Sequence, residues 1–483
     1  MNNKIIEKEM LEKVKEAEKN TKINQDPYKL GYHLMPPTGW LNDPNGLCQF
    51  KGVYHVFFQY SPFDAEGGDK FWGHYVSKDM ISWEYKGPVM GPDTPYDKDG
   101  VYSGSTFVEN GKMYMYYTGN VKESGNHDYI TSGRGANVLL VTSEDGENFS
   151  EKELLMTNED YPSNYTCHIR DPKVWKEDTT YYMVLGGREK VDGTEFSDIG
   201  KVLVYSSVDL KNWKLENEIE SKERFGYMWE CPDMIDLNGN KFLSISPQGL
   251  ESEDFKYQNV YQSGYYPLKG DFRNQYFLGD FVEWDMGFDF YAPQSFVDEK
   301  GRVILIGWMG LPDIDYTNKT LEYGWQHNLT LPRELSIKDG IILQNPVAEL
   351  KEIRKSEEEI ELNKEISLDG LYELELNSIG QSIDKLKMII SKGLEVSYDK
   401  ETSILKMEFK NDIGSGRNIR KAKLESLDKI HMFVDKSSIE IFINNGKMVF
   451  TTRFYPDEYT LEIIVDKNIE SKLWNLAPEE MKF

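Results

Sequence analysis

Three acidic residues, far apart along the chain, each stand in a short polar motif that contains a proline. Asp43 lies in "NDPNG", Asp171 in "RDP" and Glu230 in "ECPD". Two carboxyl groups flanking a glycosidic bond are the minimum needed to hydrolyse it, one attacking the anomeric carbon and one protonating the leaving oxygen. The motifs therefore indicate sugar chemistry, provided that the fold brings the three side chains together.

Each motif precedes a strand-like segment that recurs along the chain. Turn residues followed by aromatic or aliphatic runs begin near Gly52, Gly111, Thr179, Gly239 and Gly301, at intervals of about sixty residues. A second motif, "SKDMISW", "SEDGENF" and "SVDLKNW", repeats with the same period. Short strands bounded by Gly, Asn and Asp are typical of all-β folds. Five such repeats predict a five-bladed β-propeller.

The propeller would explain the position of the acids. At the same offset before each recurring strand stand "NDPNG", "YSGS", "RDP", "ECPD" and "YAPQ". Equivalent ends of the innermost strands converge on a propeller axis. We therefore expect Asp43, Asp171 and Glu230 to meet in one funnel.

The surroundings of each acid predict its role. Hydrogen bonds from Asn42 and from backbone N–H groups of its turn should keep Asp43 ionised, as a nucleophile requires. Glu230 stands in the apolar segment "MWEC", and burial beside two other acids should raise its pKa and make it the general acid/base. The charge of Arg170 should hold Asp171 ionised, so that it stabilises an oxocarbenium-like transition state.

The blade pattern covers only part of the chain. Ile6, Met10, Val14 and Ala17 have helical spacing, which predicts a short N-terminal helix. Beyond "LPREL" a charged connector is followed by short alternating strands, typical of a β-sandwich. We therefore predict an all-β protein with a helical segment at 1–26, a five-bladed catalytic propeller at 27–340, a linker at 341–359 and a sandwich at 360–483.

Composition narrows the class of partner and the compartment. The formal net charge of −26 disfavours a nucleic acid or an anionic membrane surface. The three cysteines form no paired motif, and the charged N-terminus has no apolar core of signal-peptide length, so we expect a cytoplasmic protein. No metal or cofactor motif is found in the sequence, and we predict neither. The sandwich could stabilise the propeller or form a homo-oligomer contact.

The ordered motifs resemble glycoside hydrolase family 32, the β-fructofuranosidases. "WLNDPNG", "FWGH", "YSGS", "RDP", "ECPD", "FYAPQ" and "LPREL" follow one another as in that family, with Leu41 where methionine is common. The resemblance implies a propeller followed by a sandwich, and hydrolysis with retained configuration through a covalent fructosyl-enzyme. It also implies that Asp43 is the nucleophile, Glu230 the acid/base and Asp171 the transition-state stabiliser. The residues that it places around the fructosyl unit are Trp40, Asn42, Gln59, Trp72, Tyr102, Ser103, Arg170 and Tyr291.

Within that family, "NVYQSGYYPLKGDF" and "DMGFDFYAPQS" look more like the bacterial sucrose-6-phosphate hydrolases and invertases than the secreted fructanases. This favours sucrose 6-phosphate, sucrose or both as the substrate. A phosphate group would need basic residues at the rim, for which Arg134, Lys256 and Arg273 are candidates. Gly67 and Gly68 stand where many relatives carry a tryptophan, so the wall beside the leaving sugar is expected to differ.

Four alternatives remain open from the residues. A fructan hydrolase acting on inulin or levan, or a fructosyltransferase that uses a sugar in place of water, would need the same three acids. An inverting five-bladed glycosidase would hold its carboxyl groups farther apart. A non-catalytic sugar-binding protein would not need all three.

Overall fold

The computed structural model describes residues 6–191, 193, 197–481 and 483, so the first five residues of the predicted helical segment lie outside the described residues. One α-helix, α1, spans Lys8–Lys19, and Val14 is its buried residue. The phenolic hydroxyls of Tyr60 and Tyr85 donate to Glu18 Oε1, at 3.1 and 2.7 Å, and hold α1 against the propeller. No helix among the described residues is long and apolar enough to cross a membrane. Short 3₁₀ turns occupy Ile23–Gln25, Asn158–Asp160, Lys319–Tyr323, Ala348–Ile353 and Asp412–Gly414.

Five antiparallel sheets of four or five strands follow α1 and confirm the predicted five-bladed propeller. The strands of the first three blades are β1 Gly39–Phe50, β2 Val53–Ser61, β3 Phe71–Ser77 and β4 Glu84–Tyr85; β5 Val101–Glu109, β6 Lys112–Lys122, β7 Arg134–Ser143 and β8 Glu153–Met156; and β9 Tyr165–Glu177, β10 Thr180–Glu189, β11 Ile199–Ser207 and β12 Lys214–Ile219. The strands of the last two blades are β13 Met228–Leu237, β14 Asn240–Gln248, β15 Gly264–Gly270, β16 Tyr276–Leu278 and β17 Val282–Glu283; and β18 Tyr291–Val297, β19 Val303–Met309, β21 Asn328–Leu329, β22 Arg333–Lys338 and β23 Ile341–Pro346.

The blades form a closed ring. The first strands of successive blades, β1, β5, β9, β13 and β18, each contact the next, and β18 contacts β1 again. A further two-residue strand, β20 Trp325–Gln326, pairs in parallel with the start of β1 and ties the end of the propeller sequence to its first blade. The acid motifs lie within these innermost strands, one strand earlier than the recurring segments that revealed the repeat.

Two six-stranded antiparallel sheets form the C-terminal sandwich, as predicted. Buried aliphatic side chains of both sheets, such as Leu374, Met388 and Ile441, share one hydrophobic core. The strands are β24 Arg354–Glu358, β25 Ile366–Leu368, β26 Leu371–Ser378, β27 Lys385–Ile390, β28 Leu394–Asp399, β29 Ile404–Phe409, β30 Ile419–Lys423, β31 Lys429–Asp435, β32 Ser438–Ile443, β33 Met448–Arg453, β34 Tyr459–Val465 and β35 Ile469–Leu476.

The linker predicted at 341–359 is mostly regular structure. Strand β23 belongs to the fifth blade and β24 to the sandwich, with a 3₁₀ turn between them. The charged residues that suggested a free connector belong largely to exposed positions of these elements. We therefore propose that the boundary between propeller and sandwich falls within 347–353.

A buried network of charges joins the two domains. The Arg333 guanidinium, which has no exposed surface, donates to Glu440 of the sandwich at 2.6 Å and to Asp285 of the propeller at 3.2 Å. Glu440 also hydrogen-bonds His33 at 3.0 Å. Buried charges are tolerated only when paired in this way. The network therefore fixes one orientation of the sandwich against the propeller.

Replacing Arg333 with methionine should destabilise the protein by about 3–5 kcal/mol, because Glu440 and Asp285 would stay buried without their cation. Arg273→Met is the matched control, since Arg273 forms an exposed ion pair with Asp271 that is worth at most about 1 kcal/mol. Thermal midpoints of the two variants and the parent protein measure the effect. Equal losses in both variants would contradict the role assigned to the network.

Candidate active site

The same irregularity occurs in all five innermost strands. Each advances three residues where its partner advances two, between Leu41 and Pro44 in β1 and at the corresponding motif in the other four. This is a β-bulge, which re-aims the side chains beside it. Three of the bulges contain a residue in the left-handed region, with φ of 67° for Asp171 and 46° for both Cys231 and Ala292. Each sequence motif therefore specifies a β-bulge in the backbone, and three of the motifs also supply an acidic side chain.

The bulges bring the three predicted acids together. The Cys231 thiol lies 3.6 Å from Asp43 Oδ2 and 3.7 Å from Asp171 Oδ2, and so bridges two of the carboxyl groups. Glu230, the residue before Cys231, is joined to the same group through the guanidinium of Arg170. The funnel expected from the repeat is thus present, built from the first, third and fourth blades.

Asp43 is held by neutral donors. Ser103 Oγ donates to Asp43 Oδ2 at 2.5 Å, and Asn42 Nδ2 donates to Oδ1 at 3.0 Å. Asn42 acts as predicted, whereas the second strong donor is a side chain of the second blade and not an N–H group of a turn. Burial raises the pKa of Asp43, and these hydrogen bonds oppose the rise.

Glu230 has three donors. Arg170 Nη2 donates to Oε1 at 2.7 Å, while Gln248 Nε2 and the Tyr291 hydroxyl donate to Oε2 at 2.7 and 2.6 Å. The predicted apolar setting is therefore wrong for the carboxyl head, which lies in a polar cradle although the neighbouring Trp229 is buried in the core. The donors fix both oxygens of the acid, as proton transfer to a bound substrate requires.

Arg170 does not pair closely with Asp171. Its Nε lies 4.0 Å from Asp171 Oδ2, because the guanidinium is turned towards Glu230. Burial is the largest influence on Asp171 and raises its pKa to about 7, against the opposing charge of Arg170 and with the charge of Glu230 adding to the rise. The expectation that Arg170 alone keeps Asp171 ionised is therefore corrected. The nearest donor to its carboxylate is the backbone N–H of Cys231, at 2.9 Å.

The predicted binding residues fall into two groups. A chain of hydrogen bonds runs from Trp40 Nε1 to Asn42 Oδ1 at 2.8 Å, from Asn42 Nδ2 to Gln59 Oε1 at 2.6 Å and from Gln59 Nε2 to Ser103 Oγ at 2.8 Å. This chain ends on Asp43 and aligns one wall of the funnel. Tyr291, the weakest expectation from sequence, contacts Glu230 directly.

Trp72 and Tyr102 are not part of that hydrogen-bonded chain. Trp72 has no exposed surface and packs in the core between Phe57 and Tyr117. Its indole N–H donates to the carbonyl of Tyr102 at 3.0 Å. Trp72 therefore positions the backbone next to Ser103 and does not contact a sugar in this conformation, whereas the half-buried Tyr102 remains at the mouth of the funnel.

Sequence reasoning missed four residues beside the acids: Lys70, His168, Cys231 and Gln248. His168 Nδ1 accepts from Arg170 Nη1 at 2.8 Å, and burial together with nearby arginines lowers its pKa to about 2, so it stays neutral. Gln248 ends the recurring strand "NGNKFLSISPQG", and Cys231 stands inside a quoted motif. Their positions were visible, but their partners lie on other strands and could not be inferred from spacing.

The three basic residues considered for phosphate binding lie at different distances from the acids. Arg134 lies beside Tyr102 and Arg170, since both influence its pKa. Arg273 is paired with Asp271 at an exposed position of the fourth blade. Lys256 is also exposed, and its charge acts on Glu283, outside the funnel. Only Arg134 of the three adjoins the acid site.

Comparison with known proteins agrees with this architecture. Residues 33–346 match the N-terminal domain of glycosyl hydrolases family 32, and residues 344–475 match the C-terminal region of that family. The chain is 39% identical to the sucrose-6-phosphate hydrolase of Bacillus subtilis over 91% of this chain and 92% of that protein.

Two solved structures have the same fold over nearly the whole chain. The sucrose-6-phosphate hydrolase of Lactobacillus gasseri superposes with a TM-score of 0.85 at 29% identity, covering 97% of this chain and 96% of that one. A mutant β-fructofuranosidase of Bombyx mori in complex with sucrose gives a TM-score of 0.83 at 29% identity, covering 98% and 99%. The chain belongs to glycosyl hydrolase family 32.

Proposed function

We propose that this protein is a retaining β-fructofuranosidase that hydrolyses sucrose-type disaccharides, with sucrose 6-phosphate preferred over sucrose. The observation that carries the proposal is the convergence of Asp43, Asp171 and Glu230 on one funnel through the Cys231 and Arg170 contacts. The relatives named for sucrose-6-phosphate hydrolysis, and the related structure with bound sucrose, support the substrate class.

The proposed first step forms a bond between Asp43 Oδ and the anomeric carbon of the fructosyl unit. Glu230 donates its proton to the glycosidic oxygen, and the glucose part leaves as an alcohol. In the second step Glu230, now a carboxylate, takes a proton from water, and the water oxygen displaces Asp43 from the same carbon. Two displacements at one carbon restore the original configuration.

Asp171 and Arg170 serve the transition state in this proposal. Asp171 lies within the same group of carboxyl groups as Asp43 and can accept hydrogen bonds from sugar hydroxyls while positive charge develops on the ring. Arg170 holds Glu230 in place through two contacts, at 2.7 and 3.1 Å. The Cys231 N–H and thiol fix Asp171 relative to Asp43.

The other candidate reactions have weaker support. Fructan hydrolases share the fold, but among the relatives above 30% identity are several named sucrose-6-phosphate hydrolase and one named raffinose invertase. A phosphorylated disaccharide carries negative charge and crosses an apolar bilayer poorly, which favours a cytoplasmic location. Transfer to a second sugar would appear as oligosaccharides at high sucrose concentration.

Removal of either principal acid should abolish most turnover. Glu230→Ala should lower kcat on sucrose by about 10²- to 10⁴-fold because the leaving oxygen loses its proton donor, and Asp43→Ala should lower it further. Glu359→Ala, an exposed acid of the sandwich, is the control. Proton NMR of the first product should show β-fructofuranose. Initial release of the α anomer would exclude retention, and near-normal turnover in Asp43→Ala would exclude this nucleophile.

The substrate preference is tested by kcat/KM for sucrose 6-phosphate, sucrose and inulin. We expect the highest value for sucrose 6-phosphate and the lowest for inulin, because a phosphate adds ionic contacts that the other two lack. Equal values for the first two substrates would defeat the phosphate preference. A higher value for inulin would replace the disaccharide assignment with a fructan one.

Asp171→Asn should stabilise the protein at alkaline pH while removing activity. The folded pKa of about 7 lies above the ordinary 3.8, so the wild-type chain loses stability as pH rises from about 4 to about 7 and bears the full cost above it, up to about 4 kcal/mol. Thermal midpoints at pH 5 and pH 8 measure this, and the advantage of the variant should grow with pH.

Asp271→Asn is the control for that comparison. The hydrogen bond from Arg273 lowers the pKa of Asp271, so its replacement should not stabilise the chain at pH 8. An Asp171→Asn advantage that is independent of pH would contradict the raised pKa.

A further inference from the structure

Two cations at the mouth of the funnel, Lys70 and Arg134, form no ion pair among the described residues, although the charge of Asp43 acts on Lys70. Among the described residues, the Lys70 ammonium makes no hydrogen bond or ion pair and lies 5.0 Å from the ring centre of Trp40. Arg134 donates to the carbonyl of Tyr129 at 3.2 Å and to Asn120 Oδ1 at 3.1 Å, and it also hydrogen-bonds the Tyr102 side chain. Unneutralised cations are unexpected beside an active site in a chain whose net charge is −26. Their charge is therefore available to a ligand.

Both cations adjoin Tyr102. The backbone carbonyl of Lys70 accepts a hydrogen bond from the backbone N–H of Val101, the residue before Tyr102, at 2.9 Å. A Cβ added at Gly100 would lie 2.6 Å from the Tyr102 ring and 3.4 Å from Lys70 Cβ, so these two side chains approach each other around that glycine. The Arg134 guanidinium also contacts Tyr102, through the phenol group. Lys70 and Arg134 thus both lie next to Tyr102, which precedes Ser103 in the sequence.

Lys70 is partly buried, but the side of its ammonium that faces Gly67 carries no side chain. Gly67 faces the ammonium, and even a Cβ at that position would stop 3.8 Å from Nζ. Gly67 has a φ of 115°, a conformation that other residues rarely adopt. Gly67 therefore places no side chain against the ammonium of Lys70.

The electrostatics agree with a site for an anion. Burial lowers the pKa of Arg134, and the neighbouring positive charge of Arg170 lowers it further. Burial also lowers the pKa of Lys70 to about 8, which leaves it mostly protonated at neutral pH. A bound anion would offset the positive charge of Arg134 beside Arg170, and it would also favour the protonated form of Lys70.

We propose that Lys70 and Arg134, on either side of Tyr102, form the subsite that binds the phosphate of a phosphorylated leaving sugar. This inference rests on the proposed function, because it places the phosphate of sucrose 6-phosphate. Lysine supplies a compact charge and arginine a planar fork of donors, a pairing that suits a phosphate monoester. Tyr102 contributes a hydroxyl between them.

The test compares kcat/KM for sucrose 6-phosphate with kcat/KM for sucrose in Lys70→Met and Arg134→Met. We expect the ratio to fall about 10- to 100-fold in each variant, as for loss of one hydrogen bond to a charged group. Inorganic phosphate and glucose 6-phosphate should also inhibit each variant more weakly. Lys70→Arg, which keeps the charge, and Lys338→Met, an exposed lysine of the fifth blade, should retain the ratio within about threefold.

The possible results distinguish failure of the phosphate subsite from failure of the proposed function. An equal loss on both substrates would mean that the two residues support the fold or the fructosyl pocket, and would overturn the subsite. An unchanged ratio would overturn it as well. Wild-type protein that cleaves sucrose without preferring its phosphate would refute the subsite and leave the hydrolase standing. Wild-type protein that cleaves neither would refute the proposed function itself.

Discussion

Three carboxyl groups share one buried hollow, and among the described residues the Arg170 guanidinium contacts two of them, Glu230 and Asp171. Three negative charges at such proximity in a medium of low polarity are unfavourable. Burial accordingly raises the pKa of both Asp43 and Asp171, and the charge of Glu230 adds to the rise at each. Neutral donors such as Ser103 offset part of this cost. The hydrogen-bond donors around each carboxyl group differ, as separate acid and nucleophile roles in glycoside hydrolysis would require.

The ring of blades makes this arrangement possible. Each innermost strand carries one extra residue at the same level, so five bulges converge on the axis. Left-handed backbone at Asp171 and Cys231 stores strain at the reacting groups. The surrounding blades and the buried Arg333–Glu440 contact with the sandwich hold that geometry. Stability elsewhere in the molecule thus maintains a site that is itself unfavourable.

The sequence predicted the fold well because its periodicity is a direct consequence of the blades. Five repeated motifs indicated the propeller and the convergence of Asp43, Asp171 and Glu230, which the coordinates confirm. What could not be predicted was the direction of individual side chains. The Arg170 guanidinium hydrogen-bonds Glu230 of the next blade and does not pair closely with its neighbour Asp171, because the β-bulge points successive side chains in different directions. Contacts between strands far apart in sequence, such as that of Gln248 with Glu230, leave no trace in local spacing. The residues of the expected linker show the same limit, since most of them lie in two strands and a 3₁₀ turn, with their charged side chains largely exposed.

In the proposed reaction Asp43 attacks the fructosyl carbon and carries the sugar between the two steps. The most direct measurement is rapid acid quenching of the enzyme during turnover, followed by peptide mass spectrometry. We expect a hexosyl increment on the peptide that contains Asp43, and no increment when Asp43 is replaced. An adduct on Asp171 or Glu230, or no adduct under conditions where substrate is consumed in a burst, would contradict it.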